Sequence, residues 1–268
     1  MVRLAEPDAI TARNWIERWE RQQEVYMADR EERFTALVDA VEAAAGRPDP
    51  LVLDLGCGPG SLAVRLLARL PRATVVAVDA DPVTLSLGRA AYGDLPGLVF
   101  ADIDLRAPGG EPRLGLPDGR QADAVVSTTA LHWLSGPELS ALYGRLAGLL
   151  RPGGLFLDGD HLRLDESRSP VLAGLERELE DREARRRFPD GHVGRAEDWG
   201  QWWRAVAADP ALADAVAARA ARGLGASDHA STAGVRLDTH VGALRDAGFA
   251  EVGTVWQRGS NRLLCAVR

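Results

Sequence analysis

Leu51-Val52-Leu53-Asp54-Leu55-Gly56-Cys57-Gly58-Pro59-Gly60 decides how this chain reads. A short apolar run takes in an aspartate, and glycines then occupy every second position. Leu62, Leu66, Leu67 and Leu70 follow at helical spacing. The pattern predicts a buried strand, a tight turn and a helix. Glycines let such a turn adopt positive φ and leave no side chain between backbone and ligand. The helix behind it offers unpaired N–H groups and the positive end of its dipole.

A dinucleotide turn asks for G-x-G-x-x-G. Gly56 and Gly58 fit, but the sixth position is Ser61, and Gly60 arrives one place early. Residues 73–78 read as a second strand ending in Asp79. An acid there can accept from both ribose hydroxyls of an NAD or of an adenosyl cofactor, so Asp79 suits either chemistry. A helix begins at Asp81-Pro82, with proline in its first turn. A short third strand, 97–100, runs into Ala101-Asp102-Ile103-Asp104. Residues 106–120 are rich in Pro and Gly and read as a loop. Strand four, 122–127, continues into Thr128-Thr129-Ala130-Leu131-His132-Trp133-Leu134. A helix over about 137–150 stops at Arg151-Pro152-Gly153-Gly154, and strand five takes 155–158.

The D-L-G-C-G-P-G string resembles the first motif of class I methyltransferases, which bind S-adenosylmethionine (SAM). Strand four and its continuation resemble the fourth motif. The A-L-H-W-L spelling at 130–134 is similar to the trans-aconitate methyltransferase-like group, and L-L-R-P-G-G-L-F-L at 149–157 is a further hallmark. The resemblance implies an α/β fold with a Rossmann-like seven-stranded sheet and a C-terminal antiparallel hairpin. It implies SAM as cofactor and S-adenosylhomocysteine as product. Asp54, Gly56, Cys57, Gly58 and Gly60 would surround the methionine and ribose, with Asp79 and Ala80 at the ribose. Asp102 would receive the adenine amino group, Ile103 would pack on the ring, and Ser127 and Thr128 would close the end of strand four.

Residues 9–45 carry Trp15, Trp19, Tyr26, Phe34, Leu37, Val38 and Val41 at helical spacing, and read as helix with room for one break. Gly46-Arg47-Pro48-Asp49-Pro50 ends it. Tyr26 and Arg30 are one turn apart and would share a face. In enzymes of the resembled kind a leading helix covers the cofactor, and an arginine on it pairs with the methionine carboxylate. From 159 to about 235 the pattern changes. Leu172, Leu175 and Leu179 suggest one helix, Trp199, Trp202, Trp203 and Val206 a second, and alanine-rich 210–221 a third. This is too long for a simple connection and reads as a helical insertion over the site. Asp238-Thr239 should cap a last helix ended by Gly248, and residues 249–256 and 262–267 read as the closing hairpin. The expected division is a lid (1–48), a SAM-binding core (49–160), a helical cap (161–236) and a core completion (237–268).

The chain of 268 residues is long enough for one large domain or a domain with an insertion. Its net charge of −7 gives a nucleic-acid partner no electrostatic support. Arg185-Arg186-Arg187 stands among acids and reads as a solvated helix face. Cys57 and Cys265 are expected to be free thiols in a reducing cytoplasm, and no Cys or His spacing suits a metal. Residues 1–6 are too charged for a signal peptide, and no apolar run reaches membrane length. A monomer or homodimer acting on a small molecule is the expectation.

Methyl transfer from a sulfonium needs alignment and exclusion of water, and a base only where the acceptor must lose a proton. His132 after strand four and His161 after strand five are the candidate catalytic bases. O-methylation of a small acceptor is favoured. N- or C-methylation and a non-methylating binding protein of the same fold stand as alternatives, with an NAD-dependent oxidoreductase ranked below them.

Overall fold

The computed structural model describes residues 6–27, 29–107, 114–117, 119–189, 197–224 and 235–268, without the side chain of Tyr26. Seven strands form one sheet: β1 (Leu51–Leu55), β2 (Thr74–Asp79), β3 (Leu98–Asp102), β4 (Ala122–Thr128), β5 (Leu150–His161), β6 (Glu251–Arg258) and β7 (Asn261–Val267). Their spatial order is β3-β2-β1-β4-β5-β7-β6. The pairs from β3 through β5 are parallel, and the β5–β7 and β7–β6 pairs are antiparallel. The chain leaves β1 for β2 and β3 on one side and returns to β4 on the other. That reversal opens a crevice beyond the carboxyl ends of β1 and β4, where ligands bind in open sheets.

β1 is buried on both faces. Leu51, Leu53 and Leu55 enter the core under α5 (Gly136–Leu149) and α9 (Leu237–Asp246) with Tyr143, Leu146, Leu244 and Phe249. Val52 faces the opposite core, filled by Phe34, Leu37 and Val41 of α2 (Arg30–Ala45) and Leu62 and Leu66 of α3 (Ser61–Arg69). Strand alternation places Asp54 on the Val52 side, fully buried.

The N-terminal helix breaks. α1 (Ala9–Tyr26) ends before Asp29, and Arg30 opens α2. Tyr26 and Arg30 therefore do not share a helical face, and Tyr26's side chain lies outside the described residues. Arg30 turns back to Glu20 at 2.5 Å and stacks over Phe34 at 4.6 Å. The division at residue 48 does not follow the packing either. α2 belongs to the sheet core, whereas α1 shares a third core with α4 (Pro82–Tyr92), α7 (Trp199–Ala208) and α8 (Ala213–Ala221). Its centre is Trp202, fully buried and edge-on to Trp15 and Trp19. Lid and cap are thus one helical layer, also tied by Arg18–Glu197 (2.5 Å) and Trp15 Nε1 donating to Asp209 (2.8 Å).

α6 (Pro170–Arg187) is the first insertion helix, with Leu172, Leu175 and Leu179 exposed rather than packed. β5 starts earlier and ends later than its apolar run, because Leu150 pairs with Ala122 of β4 and β7 pairs with it as far as His161. α9 starts after Arg236 without a side-chain cap, so Asp238 and Thr239 lie inside its first turn. The Arg185-Arg186-Arg187 run is exposed, and Cys57 and Cys265 are free. Among the described residues no helix is long and apolar enough to cross a membrane.

Candidate active site

A cavity of about 910 Å³ opens at the β1–β4 crevice. Its floor is the glycine turn. Gly56 holds φ +66°, and a Cβ built there would fall 2.2 Å from Ala130 Cβ. Gly60 holds φ +93°, and a Cβ there would meet the Phe100 ring at 3.0 Å. Both positions exclude a side chain by backbone conformation and by space. Gly58 N–H donates to Asp79 Oδ2 at 2.7 Å, and Asp81 N–H donates to Asp79 Oδ1 at 2.8 Å. The turn and the end of β2 are thereby locked together, and the carboxylate keeps acceptor capacity for a ligand.

Of the sequence-derived cofactor positions, Gly56, Gly58, Asp79, Ala80 and Ile103 lie on the cavity wall. Asp54, Cys57 and Ser127 are buried behind it, and Ser127 donates to Leu55 O at 3.0 Å. Thr128 Oγ1 accepts from Arg33 at 2.8 Å. Gly60, the N-cap of α3, and Arg30, held by Glu20, do not line the cavity. Asp102 is off the wall as well: Arg222 holds both its oxygens, at 2.6 and 2.7 Å.

Two acids near the turn carry raised pKa values. Burial, reinforced by Asp79, pushes Asp54 up to about 7 against the pull of the Ala63 backbone N–H. Burial pushes Asp79 up to about 6 against the pull of the N–H groups it accepts from. A cation beside them would offset this cost.

His132 and His161 both face the cavity, together with Asp160. His132 Nδ1 lies 2.8 Å from Asp160 Oδ2. Burial disfavours the charged ring, but the hydrogen bond and charge of Asp160 outweigh it and raise the His132 pKa above 6.5. Burial would also raise Asp160, yet His132 and then Arg33 hold it below the usual carboxylate range. His161 goes the other way, its pKa lowered by burial, and Nδ1 sits 3.2 Å from Ser260 Oγ. The pair is propped from behind by Arg33, fully buried, which donates to Asn261 Oδ1 at 2.7 Å as well as to Thr128. Next to it, Thr129 takes φ +50°, a strained conformation for a β-branched residue, and donates its N–H to Gly159 O at 2.9 Å.

The opposite wall comes from the helical layer: Trp19, Gln22, Gln23 and Met27 from α1 and its end, and Trp199, Trp203 and Arg219 from the insertion. Arg106, Arg163 and Arg236 also reach the cavity. Arg106 pairs with Asp104 and Arg163 with Glu180, both at 3.1 Å. The sequence offered no signal for Gln22, Thr129, Arg33 or Arg236. Asp160 is legible in the sequence, since it precedes His161 by one residue, although histidine is the favoured base there.

Residues 53–156 match the methyltransferase-domain family. A trans-aconitate 2-methyltransferase of Methylobacterium nodulans is 37% identical over 137 residues, 51% of this chain and 47% of that protein. Its counterpart in Methylobacterium radiotolerans is 38% identical over 105 residues, 39% of this chain and 35% of the relative. The chain thus spans less than half the length of these curated relatives. In fold it is similar to magnesium protoporphyrin IX methyltransferase of Synechocystis, solved with bound S-adenosylhomocysteine (TM-score 0.54, 18% identity, 94% of each chain). It is also similar to human N-acetylserotonin methyltransferase solved with SAM (TM-score 0.52, 20% identity, 92% of this chain and 53% of that one). Residues 53–156 thus match a methyltransferase domain, and the glycine turn and the sheet order with its antiparallel end have the fold of the SAM-dependent methyltransferases that the chain is similar to.

Proposed function

We propose that the protein is a SAM-dependent O-methyltransferase of a small molecule, with His132 as the base that takes the acceptor's proton. The observation that carries the reading is the His132–Asp160 pair, 2.8 Å apart, on the wall of the cavity floored by Gly56 and Gly58. Bound SAM supplies a methyl group already activated on a sulfonium. The residues present fit it: Gly56 leaves no room for a Cβ where the backbone meets the cavity, and the acids Asp79 on the wall and Asp54 behind it favour a cationic ligand. Asp79, with lone pairs to spare, would hold the ribose hydroxyls, and Ile103 would pack on the adenine.

Asp160, kept ionised, accepts from Nδ1–H and so fixes the His132 tautomer with Nε2 basic. That nitrogen would take the proton that the acceptor hydroxyl loses on methylation. The tryptophan-lined wall excludes water from the transfer.

A second observation bears on the acceptor. Arg236 forms no ion pair among the described residues, and it shares the cavity with Arg163 and Arg106. With relatives named for trans-aconitate, this supports an acceptor that carries a carboxylate, whether or not that group is the one methylated.

The test is a labelled-methyl assay against a panel of small hydroxy acids and unsaturated di- and tricarboxylates, with wild type and His132→Ala. General-base help is worth about 10²–10⁴-fold, so the variant should lose that much turnover on a hydroxyl acceptor while keeping SAM affinity. Transfer to a carboxylate oxygen, unaffected by the substitution, would remove His132 as base. No transfer to any oxygen acceptor, with transfer to an amine or carbon, would reject O-methylation.

A further inference from the structure

Asp102 ends β3 directly beside Asp79 at the end of β2, the two being paired in register. Yet Asp79 lies on the cavity wall and Asp102 does not. The cause is Arg222, the residue that closes α8. Its Nη1 and Nη2 donate to the two oxygens of Asp102 at 2.6 and 2.7 Å, and Nη1 donates also to Ala80 O at 2.7 Å. Ala80 does line the cavity. The guanidinium therefore lies across the strip between Ala80 and Asp102. One turn earlier, Arg219 donates to Asp81 Oδ2 at 2.6 Å and lies over the Trp203 ring at 3.9 Å. Asp81 is itself fixed as the cap of α4, accepting from Val83 N–H at 2.9 Å. So α8 stays anchored through Arg219, while Arg222, 38% exposed, has solvent into which it can swing.

We propose that Arg222 is a gate on the cofactor site, a residue that competes with the adenine amino group for Asp102 and so sets cofactor affinity. This rests on the reading of Asp102 as the adenine acceptor. A bidentate guanidinium covers the carboxylate edge it faces, and a neutral amino group cannot share that edge. Adenine enters when Arg222 leaves, and the fraction of molecules with the gate open scales the apparent affinity. Arg219 keeps the helix in place, so gate opening is a side-chain motion rather than displacement of the cap.

The experiment is a calorimetric and stopped-flow titration of S-adenosylhomocysteine into wild type, Arg222→Gln and Arg222→Lys at low and high NaCl. An exposed ion pair of this kind is worth up to about a fivefold shift, and a bidentate one somewhat more. Arg222→Gln should therefore bind about three- to tenfold more tightly than wild type, through faster association. Arg222→Lys, which cannot fork, should fall between them. Salt screens the pair, so wild-type affinity should rise from about 50 mM to about 500 mM NaCl while that of Arg222→Gln stays level. Binding by Arg222→Gln that is equal to or weaker than wild type overturns the gate and leaves the cofactor reading intact. Failure of all three proteins to bind overturns the cofactor reading, and the gate with it.

Discussion

The chemistry assigned to His132 depends on one neighbouring oxygen. Burial alone would favour the neutral ring, and Asp160 reverses that. A His whose folded pKa is raised adds stability below its unfolded value of about 6.5, lost as pH rises through the folded value. A base must be neutral, so turnover on a hydroxyl acceptor should rise with pH, with a midpoint above 6.5. In Asp160→Asn burial is unopposed, and the midpoint should move below 6.5. A pH–rate profile of kcat for the two proteins checks this; coincident midpoints would show that Asp160 does not tune the base. Much at this scale was legible in the chain. Gly56, Gly58 and Asp79 announce themselves by spacing, because a backbone that approaches a ligand constrains residue type. Arg33 and Thr129 do not. A buried arginine looks like any helix-face arginine until its partners at 128 and 261 arrive from elsewhere in the fold, and strain at Thr129 is imposed by its surroundings. Asp102 was legible as an acid after β3, but its partner, 120 residues away, was not.

At the scale of elements, strands were easier to place than the helical layer. Continuous apolar runs and the glycine between them mark buried parallel strands whatever packs on them. Helical periodicity located α1, α6, α7 and α8 but was silent on which face meets which neighbour. Trp199, Trp202 and Trp203 looked alike in sequence, yet Trp202 is wholly buried while Trp199 and Trp203 border the cavity. The sequence left room for a break between α1 and α2 without fixing its place, and the break separates the Tyr26–Arg30 pair that an unbroken helix would have aligned. The packing makes a distinct prediction. Trp202→Ala should remove about 3–5 kcal/mol, as expected for a large aromatic deleted from a filled core. Denaturant unfolding monitored by the remaining tryptophans measures it. A loss below about 1 kcal/mol would show that α1 and the cap do not share a core.

The molecule as a whole is a cofactor-binding sheet roofed by a layer built from two distant parts of the chain. The sheet and its carboxyl-end crevice follow from motifs spread over residues 51–158, and the C-terminal hairpin from the last thirty or so residues. The two halves of the roof follow as well, but not that α1 and the insertion share one core. On the proposed reading that division is also functional: the sheet would hold the cofactor, and the roof, with Trp199, Trp203, Arg219 and Arg222, would adjust what enters. The central claim is that the Gly56–Gly60 turn and Asp79 hold SAM. It is tested most directly by titrating S-adenosylhomocysteine into wild type and Asp79→Ala, with thermal melts to show that both are folded. Hydrogen bonds to a charged acceptor are worth about 1.5–3 kcal/mol, so one-site binding by wild type should weaken about 10- to 150-fold in the variant. Equal affinity in the two proteins, or no binding by wild type, would contradict it.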